Sequence, residues 1–328
     1  MYLVTGGAGF IGSNIVFALE KWKKAEIIIC DSLGNSEKWR NIAKRNIQDI
    51  VHPDNLIEFL KDNTLNIEAI IHMGAISSTI EKDVDKIINN NFRFSRDLWN
   101  WASKNEVPFI FASSAATYGA GGQGFIDDFS SSALKKLKPL NPYAWSKHLF
   151  DSWVSANIEA DKLAPPQWVG LKFFNVYGPN EYHKDSMKSV VAQIYPSAKS
   201  NSPCKLFQSH DLGYEDGGQL RDFVYVDDCS NAIIWLLKNN KVSGLFNFGS
   251  GKARSFKELA NAVYEALDKE TKITYIPTPS NIRDKYQYFT EANMDRLKKA
   301  GWDPAPTTLE DGVRNYVLNF LENDDPYR

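Results

Sequence analysis

Residues 141–150 read NPYAWSKHLF and set a tyrosine, Tyr143, four residues ahead of a lysine, Lys147. On a helix, positions i and i+4 lie one above the other on one face, so a phenol and an ammonium become neighbours. A nearby cation stabilises phenolate, which lets a tyrosine exchange a proton with an alcohol near neutral pH. The same spacing also describes a packed aromatic and a solvated charge on any surface helix. What gives it chemical meaning is Ser114, which closes the apolar run VPFIFASS (107–114) just ahead of AATYG. A hydroxyl donor, a phenol and a cation are then available to one reacting alcohol.

A second constellation opens the chain. TGGAGFIGS sets Gly6, Gly9 and Gly12 in G-x-x-G-x-x-G spacing, after an apolar run and at the start of a helical one. Glycine there lets the backbone turn tightly and approach a pyrophosphate, whose charge sits at the helix N-terminus. Three glycines alone also build an ordinary tight turn, but Asp31 ends the next apolar run, where a dinucleotide site places its ribose-binding acid. Asp31 has a plainer role open to it, as the cap of a turn. An acid on the ribose hydroxyls favours NAD, whereas Lys38 and Arg40 in NSEKWR are cations suited to a 2′-phosphate and hence to NADP. HMGA (72–75) brings small residues to a strand end, and Asn90 in INNNF falls on the following helix, facing either cofactor or solvent.

These groups need elements to position them. YLVT (2–5), EIIIC (26–30), EAIIHM (68–73) and VPFIFASS (107–114) are near-continuous apolar runs, the signature of strands buried on both faces. Helical stretches near 10–22, 54–62 and 81–105 alternate with them, giving a βαβ series and a parallel sheet. WVGLKFFNVYG (168–178) reads as one further strand after the Tyr143 helix. Beyond it the pattern predicts helices near 187–200, 226–238, 255–268, 290–300 and 308–321, a strand LFNFG (245–249), and a polar loop SHDLGYEDGGQLRD (209–222). SSS (130–132) and KKLK (135–138) read as a solvated loop. The fold class expected is α/β, a Rossmann-type doubly wound parallel sheet with a smaller C-terminal α/β substrate lobe. Residues 1–175 form the dinucleotide-binding domain, 224–250 return to it, and 176–223 with 251–328 form the lobe.

Bulk properties narrow the function classes. With 328 residues, 43% hydrophobic residues and a formal net charge of −2, the chain lacks the basic excess of a nucleic-acid binder. Cys30, Cys204 and Cys229 are odd in number and without C-x-x-C spacing, which supports neither a disulfide framework nor a metal site. The opening MYLVTGGAGF leaves no basic segment ahead of the first strand, and no window approaches the ~20 apolar residues of a membrane span. The expectation is a cytoplasmic protein with no membrane and no nucleic-acid partner.

In combination these motifs resemble the extended short-chain dehydrogenase/reductase superfamily and, more closely, its ADP-heptose 6-epimerase branch. VTGGAGFIGSNIV, GAISST, FASSAATYG, PLNPYAWSKHLFD, FFNVYGPNEYHKDSM, RDFVYVDD, FNFGSGKARSF and KYQYFT carry the likeness, spread from residue 4 to residue 290. The resemblance implies Tyr143 as a base, Lys147 and Ser114 beside it, and a second base at Lys184 in EYHKDSM. Outside that segment, Lys184 would read as a surface charge in a polar loop. Cofactor contacts are implied at Gly6, Gly9, Phe10, Ile11, Gly12, Asp31, Ser32, Lys38, Met73, Gly74, Ala75, Ile76, Ser77, Asn90 and Lys147. Substrate contacts are implied at Asn175, Ser186, Gln193, Phe207, Gln208, Ser209, His210, Arg221 and Tyr286, Arg221 being a bidentate clamp for a diphosphate. The implied activity inverts C-6 of ADP-D-glycero-β-D-manno-heptose by transient oxidation with bound NADP, with NAD the alternative, for the inner-core heptose of lipopolysaccharide. A homo-oligomer, a pentamer, is implied as well. Two stretches depart from the pattern: IVHPDN puts Pro53 where relatives can carry a base, and 209–222 is longer and more acidic.

Two other readings share the scaffold. A UDP- or dTDP-sugar 4-epimerase needs one tyrosine base and no second lysine, so Lys184 discriminates against it. A 4,6-dehydratase needs an acidic pair where this chain has Ala115, Ala116 and Thr117. A dinucleotide sensor without turnover would be expected to lose the serine, tyrosine or lysine, and all three are present.

Overall fold

The computed structural model describes residues 1–61, 66–283 and 286–328. Its strands are β1 (Tyr2–Thr5), β2 (Ile27–Cys30), β3 (Asp49–Val51), β4 (Ala69–His72), β5 (Phe109–Ser114), β6 (Trp168–Phe173), β7 (Asn175–Tyr177), β8 (Cys204–Phe207), β9 (Leu220–Tyr225), β10 (Gly244–Phe248), β11 (Ala253–Ser255) and β12 (Ile273–Ile276). Seven of them form a parallel sheet in the order β10-β6-β5-β4-β1-β2-β3. The Val/Ile/Phe-rich runs suit this, since β1, β2, β4 and β6 are buried along their whole length. Strand order reverses at β1, which pairs with β2 on one side and β4 on the other. Ligand crevices open at such a switch point, beyond the carboxyl ends of the strands. Thr5 and His72 share a register position there, and Ser114 ends β5 opposite Phe173.

Helices cover both faces. Phe10–Lys23 and Val226–Lys238 pack on one side through Ile15, Val16, Leu19, Ala232, Ile233 and Leu236. Phe94–Lys104 and Pro142–Glu159 cover the other through Leu98, Trp99, Phe150 and Val154. A separate core joins the helices Val190–Lys199, Phe256–Glu265 and Leu309–Tyr316 to Tyr177, Leu206, Phe223 and Tyr225. Around it lie a three-stranded sheet, β11-β9-β7, and a parallel pair, β12-β8.

Several expected boundaries move. The run 168–178 is two strands: β6 joins the large sheet, while β7 pairs with β9 elsewhere. The expected loop 209–222 ends as strand from Leu220, because buried Asp222 finds donors in the backbone N–H groups of Ser250, Gly251 and Ala292. Only Asp295–Lys299 of 290–300 is helical, and Thr290 instead bonds the carbonyl of Leu220. Ser131–Leu134, expected as loop, is a helical turn capped by the Ser130 side chain, with Leu134 buried beneath it. The helix expected near 54–62 is Pro53–Phe59, its last expected position lying outside the described residues. Val84–Lys104 contains a π-turn at Asn89–Arg93.

Candidate active site

The glycine loop joins β1 to the helix Phe10–Lys23, and sterics fix its sequence. Gly6 has φ +65°, and a Cβ there would meet Gly74 Cα at 2.7 Å. A Cβ on Gly12 would stand 2.1 Å from the Gly6 carbonyl oxygen. Gly9 caps the helix without a side chain, and its first turn holds no acidic residue, so positive amide ends face the crevice. Asp31, just past β2, accepts from the N–H of Ala8 at 2.9 Å and of Ser32 at 2.8 Å, and the Lys38 ammonium pairs with it. A dinucleotide fits this cradle: bare backbone for its pyrophosphate, a carboxylate and a cation at the ribose position.

The floor comes from the carboxyl ends of β4 and β5. Thr5 Oγ1 accepts from Gly74 N–H at 3.0 Å and lies 2.6 Å from His72 Nδ1. Asn91, 1% exposed, exchanges hydrogen bonds with both backbone groups of Ile76 and donates to Ser146 Oγ at 2.9 Å. It thereby fixes the 73–77 segment against the Tyr143 helix. Asn90 beside it is exposed, donates to the Lys86 carbonyl, and touches the same crevice.

Tyr143 and Lys147 rise from the helix Pro142–Glu159, whose first turn is set by Asn141 capping Ala144 and by Pro142. Lys147 is 4% exposed and donates to the Ala112 carbonyl at 2.8 Å. Burial takes its ammonium down to about 8, with Asp151 one turn further along pulling the other way. Burial also pushes the Tyr143 phenol up, against the pull of the Ser114 hydroxyl. The expected lowering of the phenol by Lys147 is therefore not the resting balance, because burial of the phenol, joined by the Asp151 charge, outweighs what lowers it. Beneath them Lys172 and Asp151 form a buried pair at 2.6 Å, to which Ser113 and Thr117 contribute hydroxyls at 2.7 Å.

Lys184 reaches the same cleft from a separate element, the turn Tyr182–Met187. Glu181, fully buried, closes the base of that turn: its carboxylate accepts from Ser189 N–H at 2.5 Å and Ser189 Oγ at 2.6 Å. Asp185, immediately after the lysine, sits at φ 46° and ψ −120°, a strained backbone for a non-glycine residue. The Lys184 ammonium lies 5.4 Å from the Phe10 ring centroid, and burial lowers its pKa, Glu181 opposing.

One cleft of about 760 Å³ gathers most of the expected residues: Gly6, Gly9, Phe10, Ile11, Gly12, Asp31, Ser32, Lys38, Met73, Gly74, Ala75, Ile76, Ser77, Asn90, Ser114, Tyr143, Lys147, Asn175 and Lys184. Eight others stand apart from its lining. Ser186 and Gln193 are exposed and joined to each other, the Gln193 amide donating to the Ser186 carbonyl at 3.3 Å. Phe207 meets the Tyr286 ring edge-on at 6.1 Å, and the Arg221 guanidinium lies 5.3 Å from that ring and 5.7 Å from Phe256. Gln208, Ser209 and His210 continue from Phe207, His210 N–H donating to Tyr288 Oη at 2.7 Å. Arg221 is buried and donates to the carbonyls of Leu220 and Gln287, with no carboxylate beside it among the ion pairs of the described residues. Phe256 lines the cleft and touches Arg221, so it bridges the two groups. Phe174, His183, Phe223 and Phe256 line the cleft without a local motif that marks them; His183 lies in the segment EYHKDSM, next to the lysine.

Among the described residues no three His, Cys, Asp or Glu side chains cluster as a metal site, and no helix is long and apolar enough to cross a membrane. Residues 2–249 match the family described as NAD dependent epimerase/dehydratase. The chain is 46% identical to the ADP-L-glycero-D-manno-heptose-6-epimerases of Fusobacterium nucleatum subsp. nucleatum and Nitratidesulfovibrio vulgaris, covering 100% of each and of itself. It also superposes on the crystal structure of Helicobacter pylori ADP-L-glycero-D-manno-heptose-6-epimerase with a TM-score of 0.77 at 28% identity, over 97% of this chain and 95% of that one. The glycine cradle, the Tyr143 helix and full-length identity agree, and the chain belongs to the NAD dependent epimerase/dehydratase family and, within it, to the ADP-L-glycero-D-manno-heptose-6-epimerases.

Proposed function

We propose that the protein interconverts ADP-D-glycero-β-D-manno-heptose and ADP-L-glycero-β-D-manno-heptose at C-6, with NADP held along the glycine cradle. The observation that carries this reading is that two groups able to move a proton, Tyr143 on the helix Pro142–Glu159 and Lys184 on the turn Tyr182–Met187, line one cleft. A bound oxidised nicotinamide supplies a hydride acceptor and a positive charge. One base takes the C-6 hydroxyl proton as the C-6 hydride leaves, giving a ketone. With such a cofactor held on the glycine cradle, the hydride would be returned to the other face of the turned ketone, and the second group would protonate its oxygen. Burial suits Lys184 to this, because it lowers the ammonium's pKa and so favours the neutral amine, with Glu181 opposing.

Ser114 donates to the developing oxygen, and Lys147 holds the nicotinamide ribose and backs the phenol. The Arg221, Phe207 and Tyr286 group receives the nucleotide diphosphate end, where a buried guanidinium beside two aromatic rings meets oxyanions. Lys38 supports NADP over NAD, since its ammonium offsets the Asp31 charge that a 2′-phosphate would oppose. The product serves as inner-core heptose of lipopolysaccharide, made in the cytoplasm by a homo-oligomer, a pentamer. The test is incubation of purified protein, without added cofactor, with ADP-D-glycero-β-D-manno-heptose, followed by chromatography of the C-6 epimers and identification of the dinucleotide released on denaturation. Epimer formation with NADP(H) released supports the reading; a bound dinucleotide with no epimer defeats it.

A further inference from the structure

His183 is the cleft residue whose role neither the glycine cradle nor the reacting groups explain. It lies beside Lys184 on the turn Tyr182–Met187 and faces the turn Glu37–Asn41, where Asn41 Nδ2 stands 3.1 Å from its Nδ1. Asn41 is 1% exposed, and the same Nδ2 donates to the Ala8 carbonyl at 2.8 Å. A carbonyl only accepts, so the amide nitrogen faces Ala8 and its second hydrogen goes to His183 Nδ1. Burial, joined by the Lys38 and Lys184 charges, holds this histidine down to about 4, so at neutral pH it is uncharged. With Nδ1 accepting, the ring proton resides on Nε2. His183 thus carries its one ring donor on Nε2, on a residue that lines the cleft.

At this end of the cleft the Asp31 carboxylate is already served by two N–H groups and the Lys38 ammonium, and Lys38 also reaches the Ser32 carbonyl at 3.4 Å. Pro53 lines the same region and brings no charge. We propose that His183 is a specificity-determining residue for the dinucleotide, its Nε2–H donating to the phosphate on the adenosine ribose beside the Lys38 ammonium. The proposal rests on the NADP reading above and names the residue that reads the phosphate. Asn41 is the positioning residue that fixes its tautomer.

The test is titration of wild type, His183→Leu and His183→Gln with NADPH and NADH separately, followed by fluorescence, with circular dichroism confirming the fold of each. The lost donor faces a charged acceptor, so His183→Leu is expected to bind NADPH about tenfold more weakly while NADH binding stays within about twofold. His183→Gln, which keeps an N–H near the Nε2 position, should recover most of the NADPH affinity. Equal losses for both dinucleotides would make His183 a loop fastener only, and unchanged NADPH binding would show the donor unused; either overturns the proposal. A wild type that binds NADH as tightly as NADPH would defeat the NADP reading itself, and this proposal with it.

Discussion

The helix that carries Tyr143 and Lys147 is anchored from behind by the Lys172–Asp151 pair, and Lys172→Met measures that anchor. Both side chains are 1% exposed, their charged atoms 2.6 Å apart. Lys172 also donates to Thr117 Oγ1 at 2.7 Å and lies 5.1 Å from the Tyr118 ring centroid. Without the ammonium, Asp151 keeps only the Ser113 hydroxyl on one oxygen, while its other oxygen already has no donor. Stranding one member of a buried pair costs about 3–5 kcal/mol. A chain this long unfolds with an entropy of about 0.7 kcal/mol/K, so the melting temperature is expected to fall by about 4–7 °C. Lys172→Met combined with Asp151→Leu removes the stranded charge and should regain at least about half of the loss. Scanning calorimetry of wild type, single and double variants decides it. A single variant melting within about 1 °C of wild type would refute the reasoning.

Tyr143→Phe and Lys184→Met are each expected to lower epimerisation by about 10²–10⁴-fold while melting temperature and bound dinucleotide hold, and near wild-type turnover in either removes that residue from the mechanism. Gly12→Ala puts a methyl 2.1 Å from the Gly6 carbonyl oxygen, so the purified variant should release little or no dinucleotide on denaturation; full occupancy would show that the loop can yield. His72, 1% exposed between Thr5 and Ser95 hydroxyls, is held by burial down to about 3 against an ordinary value of 6.5. Below about 6.5 the unfolded chain binds a proton that the folded one refuses, so stability falls on acidification, by up to about 1.4 kcal/mol per pH unit until about 3. Melting curves from about pH 7.5 to about pH 5 should therefore drop less steeply in His72→Gln, and parallel slopes would count against it.

The parts of the fold legible in the sequence were those with a periodic or sterically forced local signal. The apolar runs of β1, β2, β4 and β5 and the helix Val226–Lys238 fall where expected, because burial on both faces and a long amphipathic stretch leave their mark on neighbouring residues. The break at Phe174 left none: the run stays apolar while its pairing partner changes, and partner choice is a tertiary property. β9 was hidden for the opposite reason, since Arg221 and Asp222 look like loop residues until their buried partners are known. β3, β8, β11 and β12 are as short as β1 but only partly buried, so no continuous apolar run marks them. Within the cleft, the glycines and the Tyr143–Lys147 spacing are local motifs. Phe174, His183, Phe223 and Phe256 come from separate elements, and only folding brings them to one cavity.

The place of β10 in the large sheet bears on how the chain is made. β10 pairs residue for residue with β6, from Gly244 against Val169 to Phe248 against Phe173, yet the elements β7 to β9 are synthesised between them. During synthesis, β6 therefore has its inner neighbour β5 early and a bare outer edge until Phe248 has emerged. A largely apolar edge strand with unpaired backbone groups is a template for joining another chain. Fragments that stop between β6 and β10 are the species in which such misassembly concentrates, so a premature stop after residue 175 yields a six-stranded sheet with β6 bare, whereas in the 328-residue chain β10 covers β6.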